Sequence, residues 1–169
     1  MIRAALLATL ATSSPALAAP DCYQRFYSQA HMAANPGQSV QGLVLSFHPL
    51  DEGGRGIQLW AELSPEAEGL APGDIGERYF SDMRCEPGGG FGAGADPEAE
   101  TCFDTCDQGF VQIVQESDSR LLIRSFSLGL HRTPAACDGG TVLADRDESG
   151  NWVTTTFRLD GTAEADCEG

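Results

Sequence analysis

Between positions 57 and 63 the chain alternates residue by residue. Ile57, Leu59, Ala61 and Leu63 fall on one side of an extended backbone, and Gln58, Trp60 and Glu62 on the other. Side chains change face at every residue only in a strand, so this stretch demands a sheet with one face against a core. The same signal recurs in 40–47, where Leu43, Leu45 and Phe47 alternate with Val44 and Ser46, and in 78–85. Segments 110–116 and 121–128 flank Ser117-Asp118-Ser119 and read as a hairpin, and 141–144 with 152–159 read as a second one. Gly53-Gly54, Asp138-Gly139-Gly140 and Asp160-Gly161 supply turns between strands. No repeat of fixed period and no strand–helix alternation is present. The pattern predicts an all-β fold, a single antiparallel β-barrel or sandwich of about seven or eight strands with one short helical segment.

That helical segment falls in 22–34. Asp21 and Gln24 form a capping-box-like pair, and Tyr23, Phe26, Tyr27 and Ala30 have helical spacing. A strand at 22–27 followed by a helical turn at 29–34 fits nearly as well, and Asn35-Pro36-Gly37 ends either one. Residues 64–76 and the Gly-rich, acidic 86–100 read as loops.

The first residues have the form of an export signal. Arg3 precedes an apolar run of small residues and leucines, too short for a bilayer, and Ala16-Leu17-Ala18 offers a small-x-small cleavage site. Cleavage after Ala18 leaves one domain, 19–169. Six cysteines follow: Cys22, Cys85, Cys102, Cys106, Cys137 and Cys167. An even count in an exported chain reads as disulfides, and the fold is expected to be stapled by them. In a closed sheet the first and last elements are neighbours, which favours Cys22–Cys167. Cys85–Cys102 then closes the Gly-rich loop and leaves Cys106–Cys137. A Cys102–Cys106 bridge is the rival. A zinc site using Cys102 and Cys106 with Cys85, Cys137 or His131 lacks the tight Cys-x2-Cys spacing of zinc ribbons.

Charge narrows the partners. The 169 residues carry a formal net charge of −15, and every basic residue is Arg. The absence of Lys removes Schiff-base chemistry and the usual phosphate-loop lysine. So much negative charge repels nucleic acid and anionic membrane surfaces, and no segment after the leader is long enough to insert in a bilayer. The Arg-only, Gly- and Ala-rich composition resembles exported proteins of high-GC bacteria. That resemblance carries no function; the leader and the cysteines are what point to a periplasmic or secreted location.

Three motifs are weighed and set aside. Gly88-Gly89-Gly90-Phe91-Gly92-Ala93-Gly94 has no neighbouring cation and is followed by Asp96-Pro97-Glu98, so it reads as a loop and not a phosphate cradle. Asp145, Asp147, Ser149 and Gly150 match the first half of a calcium loop, but Thr156 stands where a bidentate Glu belongs, so a hairpin turn is the expectation. His31, His48 and His131 are scattered, and no nucleophile elbow or zinc-protease motif accompanies them.

The tryptophans carry the binding expectation. Trp60 shares its face with Gln58 and Glu62. If 152–159 is one strand, Val153, Thr155, Phe157 and Leu159 face the core and Trp152 stands opposite with Arg158. Aromatic surface among polar groups is the makeup of a ligand site, so Trp60, Trp152, Gln58, Glu62 and Arg158 are the candidate contacts. The expected function is a non-enzymatic binding or accessory protein of the bacterial cell envelope. It needs no cofactor or metal, and its partner is a small molecule or a protein. The alternatives are an inhibitor that presents the disulfide-held loop 86–100 to an enzyme, and a small hydrolase whose site assembles in space.

Overall fold

A computed structural model describes residues 22–65, 77–89, 94–133, 137–138, 140–162 and 167, with the backbone alone at Arg146 and Trp152. The expected export signal at 1–18, and residues 66–76 and 90–93 of the expected loops, lie outside the described residues. The elements are β1 (Cys22–Phe26), α1 (Gln29–Ala34), β2 (Val40–Pro49), β3 (Arg55–Leu63), β4 (Arg78–Glu86), β5 (Thr101–Asp104), β6 (Phe110–Ser117), β7 (Arg120–Phe126), β8 (Leu128–Leu130), β9 (Thr141–Leu143), β10 (Asp145–Arg146), β11 (Trp152–Val153) and β12 (Thr155–Thr162). Eight strands close an antiparallel barrel in the order β1-β12-β7-β6-β5-β4-β3-β2. Strands β2 to β7 follow one another as a meander. The chain then leaves the wall for β8–β11 and returns as β12, which pairs with β7 on one side and β1 on the other. The expected architecture is therefore present, and of the two forms it is the barrel.

An eight-stranded barrel is just wide enough for side chains to fill its interior. Here alternation sends Tyr23, Leu43, Leu45, Ile57, Leu59, Tyr79, Met83, Ile123, Phe157 and Leu159 inward, and all are buried. Gln58, Arg84, Thr156 and Arg158 point outward into solvent. Apolar inside and polar outside is the reverse of a membrane-spanning barrel. No helix among the described residues is long and apolar enough to cross a membrane.

The two mouths are closed differently. At one, the β8–β9 hairpin folds over the end and buries Leu128, Leu130 and Leu143. The turn into it occurs at Ser127, which adopts a left-handed φ of 56°. Segment 121–128 is thus two strands, not one, because the backbone must swing off the wall at this point. At the other mouth Arg55 reaches across from β3. It bonds the carboxylates of Glu100 and Glu116 and stacks 4.1 Å over the Phe47 ring. These partners hold its guanidinium charged at any ordinary pH.

Three disulfides join Cys22–Cys167, Cys85–Cys102 and Cys106–Cys137, with Cα separations of 5.9, 3.9 and 5.6 Å. The second links register partners on β4 and β5. The Cys102–Cys106 alternative does not form.

One local expectation is decided and one corrected. Of the two readings of 22–34, the strand followed by a helix is the one that forms, and the helix begun at Asp21 does not. Ser28 caps α1 by accepting from the His31 N–H at 3.2 Å. The winning arrangement satisfies β1 on both edges, between β12 and β2, which a helix there would forgo. Segments 141–144 and 152–159 are not a hairpin either. β9 pairs with β8, β10 with β11, and β12 with the barrel wall.

Candidate functional site

Trp60 stands on the outer wall of β3, as its alternation predicts. Pairing registers place Gln24, Val44, Trp60 and Phe80 side by side across β1, β2, β3 and β4. The next row holds Phe26, Gly42, Glu62 and Arg78. Trp60 is half-buried, its ring centroid 4.8 Å from that of Phe80. Phe26 is 53% exposed, the most exposed large apolar side chain described. Its ring lies over Gly42, where a Cβ would come within 2.7 Å of it, so only Gly lets the ring lie flat on the wall. The result is an apolar band in which Phe26 is exposed and Trp60 half-exposed above the buried side chains of Val44 and Phe80, fringed by Glu62 and Arg78. The hollow among these residues holds about 10 Å³, so the band is a face and not a pocket.

The structure brings together Gln58, Trp60 and Glu62 on this wall and leaves the other two candidates elsewhere. Arg158 lies three strands away, about 14 Å around the wall. There it donates to Asp160 at 3.0 Å, which also accepts from Arg25 at 2.8 Å. Trp152 is not on β12. Its backbone pairs with Arg146 in the separate β10–β11 ribbon, and Thr154 breaks the strand between. The alternation drawn from 152 to 159 therefore does not fix a face for Trp152, whose side chain lies outside the described residues.

A second polar cluster sits under the β8–β9 cap, and no spacing along the chain points to it. Asp104 at the end of β5 is buried and accepts from Ser81 Oγ at 2.8 Å and from the N–H groups of Cys106 at 2.9 Å and Gln108 at 3.2 Å. His131 is 3% exposed, with Nε2 at 3.4 Å from both Asp104 oxygens. Its Nδ1 has no hydrogen-bond partner among the described residues, and the nearest carboxylate oxygen is Asp138 Oδ1 at 3.9 Å. The carboxylate stands between serine and imidazole. A hydrolytic relay needs the imidazole in the middle, to take the proton from the nucleophile. Ser81, Asp104 and His131 thus form a buried structural network without the geometry of a nucleophile and its base. His48 lies 3.4 Å from Asp82, and His31 stacks on Tyr27.

The calcium-like segment is a turn. Asp147 Oδ1 accepts from the N–H groups of Ser149 and Asn151, both at 2.9 Å. Those bonds, that from the Asn151 N–H first, hold its carboxyl below the usual range. The Asp145 carboxylate accepts from the Ser39 backbone instead, while its own N–H donates to Thr155 Oγ1 at 2.8 Å, so it is engaged outside the Asp147 turn. In the loop 86–100, Asp96 and Gln112 exchange hydrogen bonds at 2.9 and 2.6 Å, and Arg124 donates to the Gly94 carbonyl at 3.0 Å. Residues 94–100 therefore lie flat on the wall of β6 and do not project.

Compared with family models, curated proteins and solved structures, the chain finds no match in any of the three.

Proposed function

We propose that the chain is an exported, non-enzymatic binding protein of the bacterial envelope or its surroundings, which docks a protein partner on the β1–β4 outer wall. The observation that carries this reading is the Phe26–Val44–Trp60–Phe80 band. Aromatic side chains beside an Arg are what interface centres are enriched in. The hollow is too small to enclose a ligand, which favours a flat protein contact over a small molecule. The net charge of −15 favours a partner with basic residues around its own apolar contact surface. Three disulfides support the export half, since such bonds persist in oxidising compartments.

The test places a photo-crosslinking side chain at position 60 in the native host, and another at exposed position 115 on β6, on the far side of the barrel, as the control. A discrete adduct from position 60, absent from position 115 and lost with Arg78→Glu, supports the reading. No adduct, or the same adducts from both positions, ends it.

One observation favours a second reading. A groove of about 470 Å³ runs beside α1, lined by Gln29, Met32, Ala33, Pro36, Gln38 and Gln41. Its volume and its neutral amides suit an uncharged small ligand. Gln41→Trp would fill it and abolish such binding while leaving the Trp60 wall intact.

A further inference from the structure

The Cys106–Cys137 bond differs from the other two in its surroundings. Cys22, Cys85 and Cys102 are buried, whereas Cys137 is exposed and Cys106 half-exposed at the capped rim. Directly behind the bond, Cys106 Sγ, a His131 ring nitrogen and an Asp104 oxygen lie within 4.8 Å of one another. His131 turns Nε2 to buried Asp104 at 3.4 Å, which orients the ring and leaves Nδ1 without a hydrogen-bond partner among the described residues. A carboxylate that holds one ring nitrogen so that the other can ligate is the arrangement behind zinc-bound histidines. Nδ1 then faces Asp138 Oδ1 across 3.9 Å with no hydrogen-bond partner of its own. Asp138 Oδ1 accepts from the Arg132 N–H at 3.2 Å and keeps a second lone pair, so that a cation between it and Nδ1 would be held from both sides, with Cys137 the neighbouring residue in the chain.

We propose that reduction of Cys106–Cys137 opens a zinc site at this rim, with the Cys106 and Cys137 thiolates, His131 Nδ1 and Asp138 as ligands and Asp104 as the positioning residue. The opening step is thiol–disulfide exchange with a dithiol. One thiolate of the dithiol attacks exposed Cys137 Sγ, the bond to Cys106 breaks, and its electron pair leaves on Cys106. The second thiol displaces Cys137, and the dithiol departs as a cyclic disulfide. Zinc then replaces the two thiol protons. Two sulfurs, one nitrogen and one oxygen complete a tetrahedron. In it, nitrogen and oxygen stand about 3.4 Å apart, so Asp138 closes in by about half an ångström. Asp138 is itself exposed, which allows that movement. In the oxidised protein neither thiolate exists and the site is shut.

The experiment reduces the protein with limiting dithiothreitol, removes the reagent under argon and adds cobalt(II) as a spectroscopic stand-in for zinc. Alkylation and peptide mass mapping should show Cys106 and Cys137 modified first. The same sample should bind one cobalt with a thiolate charge-transfer band that zinc abolishes. Asp138→Asn, at an exposed position, should fold normally and weaken binding by about tenfold or more. His131→Gln should remove the tetrahedral spectrum. Earlier reduction of either other disulfide, no cobalt band from the selectively reduced protein, or a band unchanged in both variants would overturn the proposal.

Discussion

Asp145 holds its carboxyl half-buried behind the β10–β11 turn, with Oδ1 lacking a hydrogen-bond partner. Burial pushes its pKa above the ordinary 3.8, and a bond from the Ser39 backbone only partly offsets this. The folded protein therefore keeps this proton to higher pH than the unfolded chain does, and stability falls as pH rises from 3.8 through the folded value. Asp145→Asn should raise the melting temperature at pH 7 and leave it nearly unchanged at pH 3, as read by thermal scans at both. Arg55 has the opposite character, a charge with two carboxylates to hold it. Its side chain is 32% exposed, so solvent discounts the pairs, and Arg55→Met should cost about 1–2 kcal/mol in denaturant unfolding. Arg55→Lys should recover less than half of that, because a lysine cannot bond two carboxylates through a planar fork. In the sequence Asp145 stands out only as part of a calcium-like turn, and Arg55 not at all. Trp60 does, because strand alternation alone assigns a face. Alternation does not say which strands are neighbours, and so Arg158 was grouped with Trp60 although three strands part them. Asp104 and His131 were illegible for the same reason: they come from different strands and meet only when the barrel closes.

Among the elements, the long two-sided strands were legible and the short ones were not. β3 reads correctly because one face is apolar and the other polar over many residues. The same alternation finds the core face of β12, but that strand begins at Thr155 and not at 152, and runs on through Asp160-Gly161, the expected turn. β8 and β9 are three residues each, with β8 buried on all of them, so no alternation exists to be seen. The β7–β8 corner also has no glycine to announce it. Ser127 takes a left-handed φ that costs an L-residue roughly 1–2 kcal/mol. Ser127→Gly relieves that strain at the expense of chain entropy, about 0.5–1 kcal/mol. The variant should therefore be more stable than wild type by up to about 1 kcal/mol in urea titration, whereas Ser127→Val should be clearly less stable.

At the scale of the whole molecule the disulfides rank by the chain they enclose. Cys22–Cys167 spans 145 residues of sequence and Cys85–Cys102 spans 17. Loop-closure entropy assigns them about 5 and about 3 kcal/mol respectively. Equilibrium unfolding of the two paired Cys→Ala variants should reproduce that order, and the reverse order would show that local packing dominates. The pairing was legible only because a closed sheet was assumed, which makes the two ends of the chain neighbours. The junction of β1 with β12 has one more consequence, concerned with time and not with energy. A chain delivered from its N-terminus produces β1 first and β12 last. Until the last strand arrives, β1 and β7 both present bare edges, the state most prone to pair with another chain. A protein truncated after Asn151 should therefore fail to form a smaller barrel and be digested throughout by a protease that spares the full chain. While it is being delivered, such a chain has to be held apart from its siblings until its final residues emerge.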